Sequence, residues 1–200
     1  MIKNIVFDMG NVLISYKPKD MLKKKLADED DQEILFNELF HSVDWLKFDR
    51  GTIRKEAFKV NVSQRVPAHL KEVAFDLLDN WYKEIHPINE MESIIHALKE
   101  EDFNLYILSN ASSDFHYFKT KIPNFNQFDG VFLSSDWKML KPEKEIYQAF
   151  YSHFNLNPSE CFFIDDMPAN IESASNTGMN GYVFKNDFQQ LTATLNALNQ

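Results

Sequence analysis

The sequence predicts an α/β protein: a Rossmann-like parallel sheet core with a helical cap inserted after the first strand. Three observations lead there. Five short apolar runs are continuous rather than alternating, as in strands buried on both faces. Strand-like and helix-like segments alternate from residue 90 to the end, the pattern of a parallel sheet built from crossover units. Residues 16–86 break that rhythm, with apolar positions at helical intervals only.

The first run, residues 2–7, is a strand closed by Asp8, after which the chain turns on Gly10-Asn11. An unpaired buried carboxylate costs several kcal/mol, so an acid at the end of a buried strand calls for a reason. In the insertion, Ile34-Leu35-Leu39, Ala57-Phe58-Val62 and Val73-Leu77-Leu78-Trp81 mark helices. Asp44 and Asp49-Arg50-Gly51-Thr52 read as breaks, with Thr52 as an N-cap and Glu56 close behind. Pro67 is expected to start a long helix and Pro87 to end it. Met91-Ile94-Ile95-Leu98 then forms a helix before a strand at 105–108 and another at 131–133. Ile146-Ala149-Phe150-Phe154 is the next helix, followed by a strand at 162–164. After Pro168 a helix carries Ile171-Ala174-Ser175 to a stop at Gly178, and 182–184 is the last strand. The expected division is a core of residues 1–15 and 87–200 and a helical cap of residues 16–86.

Composition narrows the function. Formal net charge is −9, from 30 acidic and 21 basic residues, which argues against nucleic acid or an anionic membrane as partner. The single cysteine, Cys161, excludes an internal disulfide and reads as a small buried hydrophobe. No apolar run approaches the roughly 18 residues of a membrane span, and the start lacks a secretory pattern. The expected location is cytoplasmic; oligomeric state is left open. The Lys23-Lys24-Lys25 run, followed at once by Asp28-Glu29-Asp30-Asp31, reads as a solvated helix face rather than a phosphate site. The six histidines show no metal-ligand spacing.

Chemistry collects at the strand ends. The first strand ends in Asp8, the second in Ser109-Asn110 and the fourth in Asp165-Asp166, while Lys141-Pro142 follows the third. In an open parallel sheet these ends lie along one edge, where ligands bind. Three close carboxylates repel one another, and a hard cation such as Mg²⁺ relieves this. Carboxylates, a cation, an ammonium and a hydroxyl together suit phosphoryl transfer.

With these residues in view, the sequence resembles the haloacid dehalogenase superfamily. Asp8 looks like its first motif, Ser109 its second, Lys141 its third and Asp165-Asp166 its fourth, and residues 16–86 resemble its helical cap. Asp-x-Gly-Asn-Val, the Ile-Asp-Asp fourth motif and Phe48-Asp49-Arg50-Gly51-Thr52-Ile53 are similar to a phosphatase branch with α-glucose-1-phosphatase-type members. The resemblance implies a Mg²⁺-dependent phosphatase with Asp8 as nucleophile. Ser109, Asn110 and Asn11 would hold the phosphoryl group, and Lys141 would pair Asp8 and the phosphate. Asp8, the Gly10 carbonyl and Asp166 would hold the metal, with Asp165 behind them and Asn170 a weaker orienting residue. Gly10-Asn11 would let the backbone wrap the site closely. Trp45, Phe48 and Arg50 are the cap residues offered for facing the substrate.

One departure matters. Most phosphatases of the superfamily carry a second aspartate two residues after the nucleophile, as acid and base; here that position is Gly10. A missing acid favours substrates with a weakly basic leaving oxygen, hence the expectation of a sugar 1-phosphate unless a cap residue supplies the proton. Two rival readings stand beside the phosphatase: a dehalogenase-type hydrolase, which needs no metal, and a degenerate member that binds a metabolite or partner without turnover.

Overall fold

The computed structural model describes residues 1–199. Five strands form one parallel sheet: β1 (Asn4–Phe7), β4 (Asn104–Ser109), β5 (Gly130–Leu133), β6 (Cys161–Asp165) and β7 (Asn180–Val183), in the order β5-β4-β1-β6-β7. Two further short strands, β2 (Ile14–Ser15) and β3 (His86–Pro87), lie outside this sheet. β1 is central. It pairs with β4 on one side (Phe7 opposite Ile107) and β6 on the other (Phe7 opposite Ile164). The chain builds outward from β1 through β4 to β5, then returns to the far side for β6 and β7. That reversal puts the carboxyl ends of β1, β4 and β6 side by side at the switch point of the sheet.

β1, β4 and β6 are buried almost throughout, which is why their sequences run apolar without alternation. Helices α6 (Glu90–Glu100), α7 (Phe115–Phe118), α8 (Ser134–Trp137), α9 (Lys144–Phe154), α10 (Pro168–Asn176) and α11 (Phe188–Asn196) connect and flank the strands. On α6 the buried residues are Met91, Ile94, Ile95 and Leu98, the three-and-four spacing expected of a helix with one face on the core.

Between β2 and β3 lie five helices: α1 (Pro18–Lys25), α2 (Glu29–Leu35), α3 (Val43–Asp49), α4 (Lys55–Arg65) and α5 (Lys71–Asn80). Their starts follow side-chain chemistry. Pro18 opens α1, the Asp28 carboxylate accepts from the Asp31 amide at α2, and the Ser42 hydroxyl accepts from the Trp45 amide at α3. Three sequence expectations change here. Asp44 is no break: it sits in the first turn of α3, buried, accepting from Arg65 Nη1 (2.8 Å) and Asn61 Nδ2 (3.2 Å). Thr52 caps nothing; its hydroxyl donates back to the Lys47 carbonyl (3.2 Å), and Arg54 precedes α4 without a side-chain cap. Helix α5 follows Pro67 after a single tight turn but ends at Asn80, and Pro87 belongs to β3.

β2 and β3 pair antiparallel, Ile14 with Pro87 and Ser15 with His86. This ribbon ties the two crossings between sheet and insertion together. Apolar residues of the insertion (Leu35, Leu39, Phe58, Leu77) belong to the same continuous cluster as Ile5, Phe7 and Leu105 of the sheet. The apolar core of the insertion is therefore continuous with that of the sheet. Lys24 and Lys25 pair with Glu84 and Asp76 across the insertion (2.6 and 2.5 Å), consistent with an exposed, solvated face. Cys161 is fully buried. Among the described residues, no helix is long and apolar enough to cross a membrane.

Candidate active site

The strand ends converge on one cation. The Lys141 ammonium donates to Asp8 Oδ1 (2.7 Å), Asp165 Oδ2 (2.7 Å) and the Leu108 carbonyl (3.0 Å), and its side chain is 1% exposed. Burial alone would pull this ammonium down; the charges of Asp8 and Asp165 outweigh it and hold it above its usual value. Burial raises the Asp8 carboxyl to about 6 against the pull of Lys141, with the Asp165 charge adding to the rise. Oxygens of Asp8, Asp165 and Asp166 lie within 4.8 Å of one another. Three carboxylates thus face one ammonium.

The two acids of the fourth motif differ. Asp165 is fully buried and saturated: besides Lys141 it accepts from the Met167 amide (2.8 Å) and Asn170 Nδ2 (3.0 and 2.9 Å). Asp166 is half-buried and accepts from Asn11 Nδ2 (3.2 Å); burial, its largest influence, raises its carboxyl. Asn170 thus holds Asp165 by hydrogen bonds, and Asn11 holds Asp166.

In the turn after β1 the left-handed position is not the glycine. Gly10 has no left-handed backbone, and a Cβ built there would meet nothing closer than 4.0 Å, at Asp8 Oδ2 and Tyr16 Cβ. The left-handed residue is Asn11, φ 53°, whose side chain also accepts from the Tyr16 amide (3.1 Å). Asparagine tolerates this conformation better than most residues. The fold therefore does not demand glycine at position 10.

Ser109 is buried at the end of β4 and lines the cavity above Lys141. The Asn110 side chain is hydrogen-bonded to the backbone of Lys141. Its amide donates to the Lys141 carbonyl (2.9 Å) and its Oδ1 accepts from the Lys141 amide (2.8 Å), which fixes the lysine's backbone.

The cavity over these groups measures about 430 Å³, within the range of small-molecule sites. Asp8, Gly10, Asn11, Ser109, Lys141 and Asp166 form its floor. Its walls are largely apolar: Ile14, Pro18, Phe36, Phe40, Trp45, Trp81 and Phe118, with Tyr16 stacked beside Trp45 (6.4 Å between centroids). Of the three insertion residues offered for this role, Trp45 lines the cavity. Phe48 does not; it packs edge-on against Trp45 and Phe58. Arg50 points elsewhere, in a two-pronged pair with Glu143 that ties the insertion to the loop after Lys141. Sequence reasoning missed Asp49, which lines the cavity. The available signal was its place four residues after Trp45, on the same helix face.

Residues 33–184 match the family described as haloacid dehalogenase-like hydrolases. The chain belongs to this family. A sesquiterpene phosphatase of Aspergillus oryzae is 26% identical over 180 residues, which are 90% of this chain and 88% of the relative. A D-ribitol-5-phosphate phosphatase of Bacteroides thetaiotaomicron is 25% identical and covers 98% of this chain and 100% of its own length. A haloacid dehalogenase family enzyme from the same species, crystallised with magnesium and inorganic phosphate, superposes with a TM-score of 0.71 at 24% identity. That match spans 92% of this chain and 95% of the other, and it speaks for the fold. The parallel sheet with its flanking helices is the α/β fold shared with these structures.

Proposed function

We propose that the protein is a Mg²⁺-dependent phosphatase of small phosphate monoesters that works through an aspartyl-phosphate on Asp8. The observation that carries this reading is the Lys141 ammonium held at 2.7 Å from both Asp8 and Asp165 on the cavity floor, with Asp166 alongside. Three carboxylates against one ammonium leave two negative charges in excess, in a set of hard oxygen donors that fits Mg²⁺. A dehalogenase would have no use for that excess. Relatives named as phosphatases over nearly the whole chain support the same choice.

Asp8, Asp166 and the Gly10 carbonyl would hold the ion, which when bound neutralises phosphoryl charge. Asp165, its oxygens already engaged by Lys141, Asn170 and the Met167 amide, would stand behind and orient the lysine. Lys141 engages Asp8 Oδ1, so Oδ2 is the oxygen left to attack phosphorus. The Ser109 hydroxyl and the Asn110 main-chain amide would receive the phosphoryl oxygens. Residues 16–86 would act as a cap, supplying the apolar walls that exclude water.

Those walls bear on the substrate. A sugar 1-phosphate would find aromatic faces to stack on but few side-chain hydrogen bonds, mainly from Asn11, Tyr16 and Asp49. The lining favours a monoester with an apolar or planar body over a sugar. The test is phosphate release from a panel of prenyl, aryl, nucleotide and sugar phosphates with Mg²⁺ and with EDTA. Metal-dependent release, best on apolar bodies, is expected. Full activity in EDTA would revive the dehalogenase-type reading, and tight binding without turnover would favour a degenerate member.

A further inference from the structure

The empty position at Gly10 leaves the departing oxygen without its usual proton donor, and the cavity holds one carboxyl with no assigned task. Asp49 ends α3, on the face that carries Trp45 into the cavity. Its main chain is pinned to the sheet. The Ser134 hydroxyl donates to the Asp49 carbonyl (2.5 Å) and accepts from the Ala111 amide (2.9 Å), two residues after Ser109. The acid is therefore set in place by the catalytic edge of the sheet as well as by its own helix.

The surroundings of the carboxyl disfavour charge. The nearby cations are engaged elsewhere: Lys55 with Asp114 (2.8 Å), Arg50 with Glu143 and Lys138 with the Ser135 carbonyl (2.6 Å). No ion pair among the described residues includes Asp49. The groups facing it are the Trp45 indole, the Ser112 amide, the Tyr16 phenol and the Asp114 carboxylate, with Asp8, Asp166 and Lys141 on the cavity floor. Burial raises Asp49 to about 8, against the pull of Trp45 and Ser112 and with Asp114 adding to the rise. A carboxyl in this state carries its proton at neutral pH, the requirement for a general acid. Tyr16, also walled in, is driven well above the usual phenol range and holds its proton too firmly to serve.

We propose that Asp49, brought into the cavity by the insertion, is the general acid of this enzyme in place of the aspartate absent at Gly10. The inference rests on the phosphatase reading above. As Asp8 Oδ2 bonds to phosphorus, the ester P–O bond breaks and its electron pair goes to the leaving oxygen. That oxygen takes the Asp49 proton and departs as an alcohol. The Asp49 carboxylate then takes a proton from water as the water oxygen bonds to phosphorus. The P–O bond to Asp8 breaks, its electron pair returns to the aspartate, and Asp49 is again protonated. The sum is ester plus water giving alcohol plus phosphate. With an acid in the roof, leaving oxygens of ordinary basicity are served, so alkyl esters are substrates as well as activated ones.

The test is kcat/KM with Mg²⁺ across aryl phosphates of graded leaving-group pKa and one alkyl phosphate, for wild type, Asp49→Asn and Asp49→Glu. Asparagine matches the neutral carboxyl in size and charge, so the fold should hold. The wild type should show a shallow dependence on leaving-group pKa. Asp49→Asn should show a steep one, losing about 10²-fold or more on the alkyl ester and little on the best leaving group. Asp49→Glu should restore part of the shallow slope. Equal losses across the series would make Asp49 a positioning residue and overturn the proposal. Should Asp49→Asn fail to fold, the wild type decides alone. A shallow slope, with an alkaline limb near pH 8 for the alkyl ester only, is expected; a steep slope overturns. If phosphate release survives Asp8→Asn or never occurs, the phosphatase reading fails and this inference with it, a result distinct from failure of Asp49 alone.

Discussion

Replacing Lys141 by methionine removes the only cation between two buried carboxylates. The lysine side chain is 1% exposed, Asp165 0% and Asp8 11%, so little solvent can take over its role. Removing one member of a buried pair typically costs about 3–5 kcal/mol, because the partner is left charged and unpaired. Here two partners are left, and the Leu108 carbonyl loses a donor. Against a total stability of about 5–15 kcal/mol, Lys141→Met should lower Tm by roughly 6–20 °C in EDTA. The sign with pH follows. Unpaired and buried, the carboxylates of the variant have folded-state pKa values above their unfolded ones, so the folded state binds the extra protons and stability falls as pH rises. Acidification from pH 7 to 5 should therefore recover part of the loss in the variant. Adding Asp8→Asn to Lys141→Met should recover stability as well, since it deletes one orphaned charge. Urea unfolding of wild type, both single variants and the double variant is the assay. A loss under about 1 kcal/mol, or additive effects in the double variant, would refute the bridging role of the lysine.

The two acids of the fourth motif should part ways. Asp166→Ala is expected to weaken Mg²⁺ affinity more than Asp165→Ala in a calorimetric titration, whereas Asp165→Ala should cost more stability, since Asp165 carries four hydrogen bonds from Lys141, Met167 and Asn170. In the turn after β1, Asn11→Ala should destabilise by about 1–2 kcal/mol for its left-handed backbone, more than Gly10→Asp, whose Cβ would meet no atom closer than 4.0 Å; thermal melts in Mg²⁺ compare them. Asp49, raised from 3.8 to about 8, binds a proton when folded that it lacks when unfolded, so its contribution is present at low pH and is lost as pH rises toward 8. The whole shift would be worth about 5–6 kcal/mol and, discounted for its opening onto the cavity, about 1–3; Asp49→Asn should flatten the wild-type decline in urea stability between pH 5 and 8.

The sheet was legible because β1, β4 and β6 are buried on both faces, which leaves continuous apolar runs there, and the half-buried edge strand β5 carries a shorter one. The last strand was read two residues late, at 182–184 instead of Asn180–Val183. It contains Gly181, where a Cβ would lie 2.6 Å from the Phe163 carbonyl; close backbone approach, which sequence alone does not signal, decides that position. The β2–β3 ribbon escaped notice because two residues per strand show no periodicity. At the site, the residues on the sheet edge could be read from strand ends alone. Arg50, Phe48 and Asp49 could not be sorted, because their directions depend on how the insertion seats on the sheet. In the turn after β1 the left-handed backbone lies at Asn11, a position that no apolar pattern marks.

The central claim is that Asp8 becomes covalently phosphorylated. Enzyme mixed with excess phosphate ester and Mg²⁺, quenched in acid within the first turnovers and digested, is read by mass spectrometry on the peptide containing Asp8. A phosphoryl adduct is predicted on Asp8, present within the first turnover, discharged when substrate is removed, and absent in EDTA and in Asp8→Asn. Sustained phosphate release with no adduct on Asp8 at any quench time, or an adduct on another residue, would contradict the account.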